Sequence, residues 1–340
     1  MTKPIAIWFT DFWHEENEAA IRQNDLYRLL DKHFPLALDR QSPDFVIYSD
    51  VGDRFRSFTC TRIYCGGENV RPDFSECDFA FSFDNTDERN FRFPPYLIQG
   101  AEEGRGLLTY MSNQRRDVAD MFADKTQFCN FIYHNPDCGE RNHFQKLLSR
   151  YKKVDSAGRV FHDTPGLAPR DPECRPEDKI SFIRNYKFTI AFENESHPGY
   201  TTEKIFHPST AGSVPIYWGN PHIAREFNPA SFINCHDFPS FQDVVKKVVE
   251  IDMDDDEYKK YLSASPFIGE NIIQAELEKA LARFQDIFSC PLASPVAQST
   301  WNRSFGVIPR SFSRRMTRNL RRKRKRLQYN AALLIRTQRL

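Results

Sequence analysis

Residues 186–221, YKFTIAFENESHPGYTTEKIFHPSTAGSVPIYWGNP, restrict the fold more than any other stretch, because strand, helix and strand signals follow one another there in close order. Lys187–Phe192 is a β-branched and aromatic run that reads as a buried strand. Glu193–Gly199 makes a polar turn, and Tyr200–Phe206 opens a helix with Thr201 or Thr202 as its N-cap. Gly212 stops that helix, and Ser213–Trp218 is a second strand. A crossover of this length joins parallel strands, so the segment is a βαβ unit in a sheet covered on both faces. The loop leaving the first strand lies at the carboxyl edge, where open α/β folds bind ligands.

Unpaired N–H groups and the positive dipole end at a helix start favour an anion, most often phosphate. Lys204 sits in the first turn, where a cation is unfavourable for the helix alone. Two readings stand: a negative ligand lies nearby, or Glu203 satisfies the dipole and Lys204 is its solvated neighbour. Neither Gly-x-Gly-x-x-Gly nor Gly-Lys-Ser/Thr occurs here, which excludes a dinucleotide fold or P-loop of the usual kind.

A chain of 340 residues suggests about two domains. Ile5–Phe9 reads as a strand, Asn17–Phe34 as an amphipathic helix and Phe45–Tyr48 as another strand, so the first domain also looks doubly wound. Arg62–Pro72 is a strand running into a glycine turn, Gly66-Gly67, that presents Glu68 at its tip. On its own, a lone Glu on a turn is a solvated group. Asp84, Asp87 and Glu88 cluster, but without the ligand spacing of a hard-cation loop they read as a solvated turn. The linker is placed within Gly104–Asp124. Gln127–Tyr133 then opens the second domain as a strand, and Asn135–Leu148 carries a helix with Arg141 near its first turns. Phe161–Asp178 is a loop with four prolines, Ser231–Cys235 a strand, and Ser240–Glu250, Asp254–Ala264 and Glu270–Phe288 three helices.

No apolar run approaches the roughly 20 residues that span a bilayer, and Met1–Phe9 lacks a signal-peptide core, so the expected location is the cytoplasm. The eight cysteines never form Cys-x-x-Cys and read as free thiols. Charge is distributed unevenly. Beyond Asp286 there is no acidic residue, and 13 of the 47 basic residues fall between Arg303 and Arg339, which leaves the body with a net charge of −12. From Pro309 onward, Phe312, Met316, Leu320, Leu327, Ala331, Leu334 and Ile335 recur at helical spacing among arginines and lysines. This basic amphipathic tail suits an anionic membrane surface. Its rivals are RNA binding and folding onto the acidic body of the chain.

The string FENESHPGYTTEK followed by AGSVPIYWGNP resembles the signature of the α-1,3-fucosyltransferases, glycosyltransferase family ten, especially soluble bacterial members, and the likeness extends over roughly Lys3–Phe288. The resemblance implies an α/β chain of GT-B type: two Rossmann-like domains facing across a cleft, residues 1–118 for the acceptor and 119–288 for the donor. The last helix would cross back to the first domain, and 289–340 would form the basic helical tail. It implies that Glu68, in Gly67-Glu68-Asn69, is the general base. It further implies that Arg141 meets the diphosphate and that Asn194, Tyr200, Glu203 and Lys204 bind the donor, GDP-fucose. No metal site and no required cofactor are implied, a divalent ion being at most stimulatory. The acceptor would be a galactosyl-containing oligosaccharide, the tail's partner the inner face of an anionic membrane, and no nucleic acid is expected. Ser196–Gly199 departs from the family pattern just before Tyr200. Another nucleotide-sugar transferase on the same fold, and a non-catalytic membrane- or RNA-binding protein, are the alternatives.

Overall fold

The computed structural model describes residues 3–12, 16–100, 117–165, 176–269, 272–289 and 295–296. Basic segment 309–340, most of the expected linker and residues 166–175 of the proline-containing loop lie outside the described residues. Two sheets organise the chain. The first contains β1 (Ile5–Thr10), β2 (Leu36–Leu38), β3 (Phe45–Tyr48), β4 (Thr61–Cys65), β5 (Phe79–Ser82) and β6 (Asn90–Arg92), in the order β2-β1-β3-β4-β5-β6. The second contains β7 (Gln127–Phe131), β8 (Val154–Ser156), β9 (Tyr186–Phe192), β10 (Val214–Trp218) and β11 (Ile233–Asn234), in the order β11-β10-β9-β7-β8. All pairings between these strands are parallel.

Taken from its β8 edge, the second sheet repeats the order of the first: the opening strand lies between the second and the third, and later strands follow outward. Each sheet therefore has a switch point, β1/β3 in one and β7/β9 in the other. The crevice above the carboxyl ends at such a point is where doubly wound sheets bind ligands.

Helices α1 (Glu18–Arg22), α2 (Asp25–Asp31) and α3 (Pro95–Gly100) follow strands of the first sheet. Those of the second part are α4 (Val118–Ala123), α5 (Gly139–Leu148), α6 (Pro176–Ile183), α7 (Glu203–Ala211), α8 (Phe241–Met253) and α9 (Asp255–Ser263), and α10 (Ile272–Ser289) comes last. The helix expected over Asn17–Phe34 is broken in two. Asn24 has extended backbone and its side chain accepts from the N–H groups of Leu26 and Tyr27, so it caps a new helix instead of continuing the old one. The strand expected over Ser231–Cys235 shrinks to Ile233–Asn234, because 3₁₀ turns at Pro229–Ser231 and Cys235–Asp237 take up its ends.

Helix α10 packs against the first sheet. Its apolar residues Ile273, Leu277, Ala280, Phe284, Ile287 and Phe288 are buried at helical spacing in one core with Phe34, Phe45 and Phe81. The Phe284 ring stacks on Phe81 at 3.8 Å, and Phe288 meets Phe34 and Phe45 at 5.2 and 5.0 Å. Ala191, Phe206 and Tyr217 of the second part belong to the same core, so the two sheets share packing. Phe284→Ala should cost about 3–5 kcal/mol of stability, read as a lower urea midpoint. A loss below about 1 kcal/mol would mean that α10 does not contribute to the first sheet's core.

Candidate active site

Both loops at the second switch point carry chemistry. The loop after β7 leads into α5, whose first turn holds Arg141, and the loop after β9 begins with Glu193 and Asn194. Arg141 is fully buried. One guanidinium nitrogen donates to Asn135 O at 2.5 Å and another to Asn194 Oδ1 at 3.1 Å, while the plane lies 3.9 Å from the Tyr133 ring centre. Its Nε has no hydrogen-bond partner among the described residues. No described carboxylate forms an ion pair with it either. Burying a guanidinium without an anion is costly, and a planar fork of donors suits phosphate oxygens, so this position fits an anionic ligand.

Asn194 joins this cation to the first sheet. Its Oδ1 accepts from Arg141 and its Nδ2 donates to Glu68 Oε2 at 3.3 Å. Glu68 is half-buried on the turn after β4. That turn is held by Asp50, whose Oδ2 accepts from the N–H groups of Gly67 at 2.9 Å and Glu68 at 3.0 Å, and whose other oxygen bonds the Tyr64 hydroxyl. Asp50 follows β3, so the first switch point braces the turn that presents Glu68. Burial pushes the Asp50 carboxyl above its usual range, against the lowering effect of those three hydrogen bonds.

Thr202 occupies the N-cap of α7, but its hydroxyl does not cap the helix. It bonds instead to Glu193, whose Oε1 also accepts the Thr202 N–H at 2.7 Å. Lys204 donates to Thr202 Oγ1 at 2.9 Å and pairs with Glu193 at 3.3 Å and Glu203 at 3.6 Å. So Lys204 is not solvated: its first-turn position is compensated by two carboxylates. Burial works against its charge, yet Glu193 and then Glu203 hold the ammonium well above an ordinary lysine. For Glu203, burial alone would raise the carboxyl, but Lys204 and then Lys179 hold it below its usual range. Tyr200 is buried, its ring edge-on to Phe83 of the first part at 5.4 Å. Thus Glu68, Arg141 and Asn194 form one hydrogen-bonded chain, and Glu203 and Lys204 form an ion-paired group at the helix start.

The 193–200 loop is clamped from the first part. Asn69 donates to Glu195 at 2.9 Å, Arg71 contacts His197, and Arg92 donates to Gly199 O at 3.1 Å and pairs with Glu226 at 2.8 Å. Tyr96 donates to the other Glu226 oxygen at 2.7 Å. Gly199 has φ +83°, and a Cβ there would lie 2.3 Å from Phe83 O, so glycine alone fits. Sequence reasoning did not single out Asp50, Glu193, Arg92 or Glu226. Two had a local signal, Glu193 its place beside Asn194 at the end of a buried strand and Arg92 its Arg-x-Pro string. Of the acidic group Asp84, Asp87 and Glu88, Asp84 pairs with Arg71 and Asp87 accepts from the N–H groups of Arg89 and Asn90. A cavity of about 440 Å³ lined by Gln127, Asp155 and Tyr186 lies at the amino edge of the second sheet and contains none of the six expected site residues.

Residues 122–299 match the C-terminal model of glycosyltransferase family 10 (fucosyltransferase), and residues 7–99 match the alpha-(1,3)-fucosyltransferase FucT N-terminal domain. The chain is 26% identical over 297 residues to alpha-(1,3)-fucosyltransferase FucT of Helicobacter pylori, covering 77% of this chain and 60% of that protein. A solved alpha1,3-fucosyltransferase superposes with a TM-score of 0.70 at 24% identity, over 87% of this chain and 92% of that one. Another, solved with GDP-fucose, gives 0.68 at 24% identity over 86% and 92%. The two-sheet fold is therefore the fucosyltransferase fold, and, with over half its length inside the family model, the chain belongs to glycosyltransferase family 10.

Proposed function

We propose that the chain transfers L-fucose from GDP-β-L-fucose to a hydroxyl of a galactosyl-containing oligosaccharide, O3 of N-acetylglucosamine or glucose, forming an α-1,3 linkage with inversion. The observation that carries this reading is Arg141: a buried guanidinium without a described counter-ion, at a switch point and bridged by Asn194 to the carboxylate of Glu68. An anion-binding cation and a half-buried base joined by one amide suit a displacement in which an anionic leaving group departs as an acceptor hydroxyl attacks. The family, and the fold it shares with an enzyme solved with GDP-fucose, support GDP as that leaving group.

In this reading Glu68 accepts the proton of the acceptor hydroxyl while that oxygen bonds to the anomeric carbon of fucose. The bond from that carbon to the β-phosphate oxygen breaks, and its electron pair leaves with GDP. Negative charge grows on the diphosphate, where Arg141, Lys204 and the amides at the start of α7 supply donors already in place. These cations carry the stabilisation without a required metal. Asn194, Tyr200 and Glu203 complete the donor site.

Among the described residues no helix is long and apolar enough to cross a membrane. We assign attachment at the cytoplasmic face to the basic segment 309–340, each Lys or Arg near an anionic headgroup contributing about 1 kcal/mol.

Glu68→Gln should lower turnover by about 10²–10⁴-fold while GDP affinity stays within about twofold. A variant that kept most of its rate would remove Glu68 from the mechanism. The full chain should sediment with vesicles containing phosphatidylserine but not with neutral ones, and lose that binding as salt rises. Equal sedimentation with both vesicle types would contradict electrostatic attachment.

A further inference from the structure

Glu193 is the first residue beyond β9 and is completely buried. Its N–H extends the sheet by donating to Trp218 O at 2.8 Å. One carboxylate oxygen accepts the Thr202 N–H at 2.7 Å, and the other lies 2.7 Å from the Thr202 hydroxyl and 3.3 Å from Lys204 Nζ. Gly219 lies flat against this side chain. A Cβ at that position would fall 2.4 Å from Glu193 Cγ and 2.8 Å from its Cβ, so glycine is required there because the carboxylate's stem occupies the space.

We infer that Glu193 is a positioning residue of the donor site: its buried carboxylate anchors the start of α7 to the end of β9 and holds the Lys204 ammonium charged and oriented before a diphosphate arrives. This rests on the reading that Lys204 meets the donor's diphosphate. Two influences oppose a charged lysine here, burial and the positive end of α7. Glu203, 3.6 Å away, offsets them in part; Glu193, closer and joined to Lys204 also through the Thr202 hydroxyl, offsets the rest.

The charged groups around the pair are few among the described residues. From α7 come Glu203 and His207, from α6 Lys179, from β10 Tyr217, from the loops Tyr133 and Tyr200. Burial, with Lys179, pushes His207 down to about 3, so it is neutral near pH 7. Burial pushes all three tyrosines up, so they stay protonated in the neutral range. Lys204, its two carboxylates and, on the Glu203 side, Lys179 therefore set the local charge.

The sign of the pH effect follows. With Glu193 ionised, Lys204 stays protonated beyond the ordinary lysine range and diphosphate binding persists as pH rises. When Glu193 is replaced by glutamine, burial is opposed by Glu203 alone, the ammonium loses its proton at lower pH, and binding fails as pH rises through that value.

Calorimetry with GDP at pH values from about 7.5 to about 10, where its phosphates are fully ionised, tests this on the full chain, each variant being read as a ratio to wild type because the guanine base itself loses a proton at the alkaline end. Glu193→Gln should bind GDP about tenfold more weakly than wild type at the lower end, and the ratio should widen at the alkaline end. Glu193→Asp, which restores the charge, should keep a constant ratio to wild type. A folded Glu193→Gln with wild-type affinity and the wild-type profile would overturn the inference and leave the donor reading intact. Were that variant unable to fold, the wild type would decide alone, because an affinity that falls with a midpoint below about pH 8.5, before guanine ionises, would show that Lys204 is not held charged. A wild type that binds no GDP would overturn both the inference and the donor reading beneath it.

Discussion

A guanidinium sealed from water without a carboxylate is expensive to keep, and the arrangement of the cleft depends on how Arg141 is kept. The Tyr133 face, the Asn135 carbonyl and the Asn194 amide satisfy part of it, and Nε is left without a partner among the described residues. Burial costs of this kind are offset only by good geometry or by a ligand. The same amide that receives Arg141 reaches across to Glu68, so the positions of cation and carboxylate are set by one side chain. An interaction that is incomplete without a ligand but rigid before it arrives is what preorganised stabilisation of a leaving anion requires.

The two sheets make this meeting possible through their shared strand order. Each places its switch point at the carboxyl edge, and the loops from those edges face one another: Asp50 and Glu68 from the first, Arg141, Glu193 and Asn194 from the second. Contacts that cross the cleft, Arg92 with Gly199 and Glu226, Tyr96 with Glu226, and Asn69 with Glu195, hold the 193–200 loop against the turn that carries Glu68. The return of α10 to the first sheet adds apolar packing to those polar clamps. Misplacing one sheet by an ångström would thus move Glu68 and Arg141 apart, and reaction rates in general are sensitive to displacements of that size.

The sequence showed much of this, and the limits have physical reasons. The βαβ unit was legible because its strands are continuous β-branched and aromatic runs, as expected for a sheet buried on both faces, and Gly212 marks the end of α7 with φ +68°. The break at Asn24 was missed because the apolar periodicity carries on through it and only the cap reveals it. Lys204 was left between a nearby anionic ligand and a solvated place beside Glu203, and its main partner, Glu193, stands in a run of polar residues that reads as an exposed turn. Its burial is decided by Gly219 and α7, which pattern alone does not position. Tyr200 was expected at the donor, and its ring is turned into the contact with Phe83.

The most direct measurement is product analysis after incubating the purified chain with GDP-fucose and either N-acetyllactosamine or lactose, with and without a chelator. The account predicts a fucosylated product with an α-1,3 linkage, formed at the same rate when divalent ions are removed, because Arg141 and Lys204 carry the leaving-group charge. Failure to bind or turn over GDP-fucose would contradict it, as would transfer abolished by the chelator.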